Sequence, residues 1–334
     1  GADATITNIG TINGGDDGIF SDGANAIITN SGIINADLGI YSVGTNTTIN
    51  NSGTITGGSE GINSLGAKAT ITNSGNITGG VDGILSIGAN AIINNSGTIT
   101  GTTGDGILSS GADATITNSG TINAGDDGIV STGDDAIITN SGIINADYGI
   151  YSVGTNTTIN NSGTITGGVD GILSNGANAI ITNSGTITST TGDGIRSSDA
   201  DATITNSGTI NAGDDGIVSN GANAIITNSG TINAGDDGIV SNGANAIITN
   251  SGTITGTNYA ITGGTNDSLT LNLLKGSQLM GAIDLGGADV DNDTVNIHGG
   301  NVSATLTLLN TENINLLGPG LKLSGDVVVS VDGT

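Results

Sequence analysis

Acidic side chains return at one fixed place along this chain: Asp17, Glu60, Asp82, Asp105, Asp127, Asp170, Asp193, Asp215 and Asp237, often doubled as in Asp214-Asp215. Carboxylates brought together in a column could hold a cation or share a proton. Two like charges ~5 Å apart repel by about 0.8 kcal/mol even in water, so a bound cation would relieve them. Calcium takes carboxylate and carbonyl oxygens, and Asp193, Asp215 and Asp237 are the candidate ligands. Their spacing matches neither an EF-hand loop nor the GGxGxDxUx calcium repeat. A solvated acidic edge is therefore the favoured reading, with no resident cofactor and calcium the one ion left open.

Catalysis finds little else to work with. The single histidine, His298, stands apart from any repeated partner, and Arg196 and Lys68 are the sole cations of the repeated region. There is no Ser-His-Asp set, phosphate loop or metal cluster of diagnostic spacing, so no catalytic residue and no enzyme is expected. Carboxylate pairs alone keep a polysaccharide-acting enzyme as an alternative.

Beside the acidic positions runs an apolar series: Phe20, Tyr41, Leu85, Leu108, Val130, Tyr151, Leu173, Val218 and Val240, interrupted by Asn63 and Arg196. An aligned apolar stripe on a polar chain is a candidate partner surface. Threonines form another series, in pairs such as Thr54/Thr56, Thr98/Thr100, Thr164/Thr166 and Thr186/Thr188, broken at Ile33, Asn76 and Ile143. Regular Thr ranks resemble ice-binding faces, which supplies a second alternative; strands also favour threonine for its own sake.

All these series are set by one repeat. The segment NSGTINAGDDGIVSNGANAIIT fills residues 206–227 and returns unchanged at 228–249. Marking the glycine of each Asn-Ser-Gly gives about twelve copies spaced 21, 22 or 23 residues apart, from Gly10 to Gly252. Such a period denotes a supersecondary unit that is stable only when stacked on its neighbours. Each unit holds three short apolar-centred runs, on Ile28, Ile34 and Ile40 in one copy, separated by glycine-rich corners. The runs are too short for helices and alternate as strands do. The chain is expected to be all-β: a parallel β-helix, or β-solenoid, with about 22 residues and three short strands per coil.

Strand parity sorts the remaining residues. With the three isoleucines inward, Ala26, the corner asparagines (Asn30, Asn73, Asn118, Asn206) and the serines Ser42, Ser86, Ser131 and Ser219 point inward too. The asparagines are expected to stack their amides from coil to coil, and the glycines to supply left-handed corners or room for close backbone approach.

Composition narrows the partners. Thirty Asp and Glu against four Lys and Arg give a net charge of −26. That argues against nucleic acid, which is bound by neutralising phosphates, and against anionic membrane surfaces; no long apolar segment would insert into a bilayer. With no cysteine, neither disulfides nor thiolate sites contribute.

After Gly256 the repeat breaks and leucine becomes common: Leu269, Leu271, Leu273, Leu285, Val295, Ile297, Leu306 and Val327. Residues 1–256 are expected to form the solenoid and 257–334 a less regular C-terminal β cap that continues it. The run NDSLTLNLLKGSQLMGAIDLGGADVDNDTVNI, followed by TENINLLGPGLKLSGDVVVSVDGT, resembles the end of a bacterial autotransporter passenger just before its outer-membrane barrel. The repeats are similar to the right-handed parallel β-helix of such passengers. Gly1 begins in mid-repeat, as an exported part cut from a longer precursor would. The resemblance implies a secreted, non-catalytic protein of the bacterial cell surface, an adhesin or structural fibre. Its partners would be glycans or proteins of other cells, or an abiotic surface. Self-association is expected as well, end to end through open strand edges or laterally through the apolar stripe.

Overall fold

A computed structural model describes residues 2–264, 268–286, 292–298, 301–303, 307–309, 311, 313–317, 322–324 and 328–330. Every regular element among them is a β-strand, and no helix is long and apolar enough to cross a membrane. The strands are short, pair in parallel, and meet their sequence equivalents about 22 residues away. This is the expected parallel β-solenoid. The chain forms two compact units, Gly1–Gly168 and Val169–Thr334.

In the first unit a coil has three strands, illustrated by Ile27–Asn30, Ile33–Ala36 and Leu38–Ser42; their outer surfaces are called the first, second and third faces. Register never slips on the first face. Ile6 lies against Ile28, Ile28 against Ile49, Ile71 against Ile93 and Ile116 against Ile138. A one-residue slip would turn the whole isoleucine column into water, which is why the alternation fixes the pairing. Ile28, Ile34 and Ile40 are wholly buried, as are Ala26, Asn30 and Ser42.

The buried asparagines form one continuous amide ladder. Asn30 Nδ2 donates to Asn51 Oδ1, Asn51 to Asn73, Asn73 to Asn95 and Asn95 to Asn118, each at 2.8 Å. Buried polar groups must be paired, and an amide can donate to one neighbour while accepting from the other. The serine column is treated differently. Ser42 and Ser152 donate to Thr47 and Thr157, five residues on, at 2.9 and 2.8 Å. Ser64, Ser86, Ser109 and Ser131 face alanine at that place and leave buried hydroxyls without a partner among the described residues.

Corner geometry departs from expectation in one respect. The left-handed residue after the third strand is not glycine but Asn25, Asn46, Asn90, Asp113 or Asn156, at φ 56–61°. Asn and Asp tolerate that region; Lys68, at φ 59°, gains no such help. The Asn-Ser-Gly glycines serve close approach instead: a Cβ on Gly53 would lie 2.1 Å from the carbonyl oxygen of Gly32.

The second unit repeats this plan. Asn183 donates to Asn206, Asn206 to Asn228 and Asn228 to Asn250, again at 2.8 Å. There the ladder stops, because Leu273 is the register partner of Asn250; Ser277 Oγ donates to the Asn250 carbonyl at 2.6 Å. Beyond it Thr270–Leu273, Thr294–His298 and Asn313–Leu317 extend the first face in parallel. The strand Thr253–Gly263 pairs with both second- and third-face strands of the preceding coil. Leu271, Leu273, Leu285, Val295 and Ile297 are buried, so leucine and valine replace isoleucine and asparagine in the core. Leu306 and Val327 lie outside the described residues.

Candidate functional site

The corner leading into the third face collects the acidic column, the apolar stripe and the aromatic side chains. In the first unit Asp82 Oδ1 accepts from the backbone N–H of Asp105 at 2.9 Å, and Asp105 Oδ1 from that of Asp127 at 3.2 Å. In the second, Asp170 accepts from Asp193, Asp193 from Asp215, Asp215 from Asp237 and Asp237 from Tyr259, at 2.9–3.3 Å. One oxygen of each aspartate thus holds the next coil's backbone. The acidic edge is structural as well as charged.

It is also less solvated than expected: Asp82, Asp127, Asp170 and Asp193 are buried. Burial, opposed by the ladder hydrogen bond, pushes Asp105, Asp193 and Asp215 up to about 6. Burial together with the neighbouring Asp105 and Asp126 carboxylates pushes Asp127 up to about 7. Carboxyls in this range can trade protons near neutrality.

Arg196 interrupts the stripe and partly neutralises the column. Its Nη2 lies 2.7 Å from Asp170 Oδ2 and its Nε 3.9 Å from Asp193 Oδ2. One coil further, the carboxylates of Asp193, Asp214 and Asp215 offer oxygens within 4.8 Å of one another, as do those of Asp215, Asp236 and Asp237. All three ligand candidates from the sequence are therefore in these two clusters. An oxygen-seeking cation such as calcium suits such donors, while exposed acidic pairs also stand without one.

The stripe residues all leave the core, but they are not equally open. Phe20 is 52% exposed, and Tyr41, Leu85, Leu108 and Tyr151 are half-buried. Val130, Leu173, Val218 and Val240 are outward yet shielded, at 5–9%, so a partner could reach only the first group directly. All five aromatic residues of the chain occupy this part of the repeat, four in the first unit and Tyr259 in the second. Phe20 and Tyr41 meet as tilted rings with centroids 5.4 Å apart, and Tyr148 and Tyr151 at 6.2 Å. Tyr148 is the register partner of Asp127, and Tyr259 follows Asp237 in the column. Those two tyrosines escape a reading of the stripe alone because they occupy acidic positions; the signal was the clustering of every aromatic in one part of the repeat.

The Thr ranks lie on the second face in register, with Thr98 beside Asn76 and Thr54 beside Ile33. Ile33 and Ile143 interrupt them as bare apolar residues, 43% and 44% exposed. His298 ends the strand Thr294–His298, half-buried, in register with Leu317. Comparisons with protein-family models, curated proteins and solved structures find no match to this chain.

Proposed function

We propose that the chain is a non-catalytic adhesive or structural element of a bacterial cell surface, an autotransporter-type passenger that works outside the cell by presenting side-chain ladders. The observation carrying this reading is the in-register third face, where every aromatic residue stands beside a column of carboxylates. Aromatic rings offer apolar faces and a polar edge, and stacked repeats multiply weak contacts into avidity. Glycans or proteins of another cell suit such a surface better than a nucleic acid. The raised Asp127 and Asp105 would suit an acid–base pair in a polysaccharide-acting enzyme, but these carboxyls are engaged in the backbone ladder. The Thr ranks support an ice-binding reading less, since isoleucine and asparagine break them.

A screen of glycans and matrix proteins, run with the native chain and with Tyr41→Ala/Tyr151→Ala, tests the reading. Binding by the native chain that falls at least about tenfold, some 1.4 kcal/mol, in the variant supports it. Binding indifferent to both tyrosines would move the site elsewhere, and turnover of a bound glycan would replace adhesion with catalysis.

A further inference from the structure

A second set of open apolar residues lies off the third face. In the first unit they include Ile27, Ile92 and Ile137, 43–46% exposed, and in the second Ile180, Ile225 and Ile247, 41–47% exposed. Each directly precedes a wholly buried isoleucine and so points out of the first face. Scattered exposed isoleucines need no explanation, but within each unit these occupy one column of an in-register sheet. Thr48 and Thr70 stand between Ile27 and Ile92, and Thr115 between Ile92 and Ile137. Thr203 separates Ile180 from Ile225.

We propose that this face, in each unit, packs against the same face of a second copy of the chain. Three features of the surface select that occupant. First, charge: among the described residues no first-face strand carries Asp, Glu, Lys or Arg. Across such a strip a molecule of net charge −26 meets its own kind without setting like charges against each other. Second, pitch: coils repeat at the ~4.8 Å strand spacing, and a second copy has that repeat by construction. Paired sheets with matched rows can interdigitate as dry zippers do. Third, relief: isoleucines interrupted by smaller threonines, singly as at Ile27 and Ile92 or paired as at Ile225 and Ile247, form ridges and hollows that a like surface can fill.

Size sets the strength. Four-residue strands stacked from Thr5–Asn8 to Thr158–Asn161 make a strip about 13 Å wide and roughly 35 Å long. That is below the ~800 Å² per partner of a standard stable interface, so association through one such strip is weak and concentration-dependent. Salt strengthens it by screening the charges beside the strip.

The test is sedimentation equilibrium of the whole chain over a concentration series at low and high NaCl. It compares the native chain with one carrying Ile27→Thr, Ile92→Thr, Ile137→Thr, Ile180→Thr, Ile225→Thr and Ile247→Thr. Threonine already occupies this column at Thr48, Thr70 and Thr115, so the variant keeps its fold, checked by an unchanged far-UV spectrum. The native chain should self-associate more tightly at high salt, and the variant should need at least about tenfold more protein for the same degree of association. A native chain that stays monomeric throughout overturns the proposal. So does association unchanged in the variant, or association abolished by Tyr151→Lys on the third face while the isoleucine changes leave it intact. None of these outcomes depends on whether a foreign ligand binds the third face.

Discussion

At the scale of single residues, one repeated position contains its own control. The serine that ends the third strand donates to threonine at Ser42 and Ser152 but is left unpaired beside alanine at Ser86. A buried hydroxyl without a partner costs about 1–3 kcal/mol, whereas a made hydrogen bond contributes about 1. Ala91→Thr should therefore raise the melting temperature, because it rebuilds at Ser86 the pair seen at Ser42–Thr47. Ser86→Ala should be neutral or stabilising, and Ser42→Ala destabilising by about 1 kcal/mol. Calorimetry of the three variants decides, and a drop with Ala91→Thr would mean the alanine coils are packed too tightly for the extra atoms. Lys68 offers a second case. In the left-handed corner occupied by Asn or Asp in neighbouring coils, Lys68→Asn should stabilise by roughly 0.5–1 kcal/mol, read as a higher urea midpoint. The sequence shows which residues face inward, because alternation has only two answers. Whether an inward hydroxyl finds a partner depends on a side chain five residues away and becomes visible only in three dimensions.

At the scale of the strand column, the acidic corner makes stability depend on pH. A free aspartate titrates near 3.9, while Asp105, Asp193 and Asp215 are pushed up to about 6 and Asp127 to about 7. The folded chain thus holds these protons more tightly than the unfolded chain. Their contribution is most favourable below about pH 4 and is lost as pH rises through 6–7. Asp134 runs the other way: hydrogen bonds from Thr155 hold it below the usual range, and its contribution fades in acid. Between about pH 4.5 and 8 the raised group dominates, so the denaturation midpoint should fall as pH increases. Asp127→Asn keeps an acceptor oxygen while removing the charge. It should be more stable than the native chain at pH 8, by on the order of a kcal/mol, and lose that advantage near pH 5. A flat profile in the native chain would contradict this. Column membership was legible from spacing alone, and the candidate ligands Asp193, Asp215 and Asp237 do fall together. The burial of Asp193 was not, because a Gly-Asp-Gly corner reads as a solvated turn. The open isoleucines of the first face follow from the same parity: in Ile27-Ile28 both residues are apolar, and alternation puts Ile28 in the core and Ile27 outside.

At the scale of the molecule, the chain behaves as a stack whose members interact with immediate neighbours. Its class was readable because the same residues return at one period. The C-terminal change was readable too, since Leu273 meets Asn250 where the amide ladder ends. The two identical copies at 206–227 and 228–249 allow a strict test of the additive picture. Deleting residues 228–249 joins Thr227 to Asn250, the same Thr-Asn junction that Thr249 makes now. Asn206 would then donate directly to Asn250, and each inward isoleucine would meet its equivalent in the next coil. Stability in such arrays is a sum of coil and neighbour terms, so the shortened chain should keep its β-sheet spectrum and a melting temperature within a few degrees of the native value. Deleting only 228–238 removes half of that segment. The chain would bring second-face residues against third-face positions, interrupt the asparagine ladder between Asn206 and Asn250, and place polar side chains in the isoleucine column. That chain should unfold in its second unit. Equal behaviour of the two deletions would mean that the coil is not the stabilising unit.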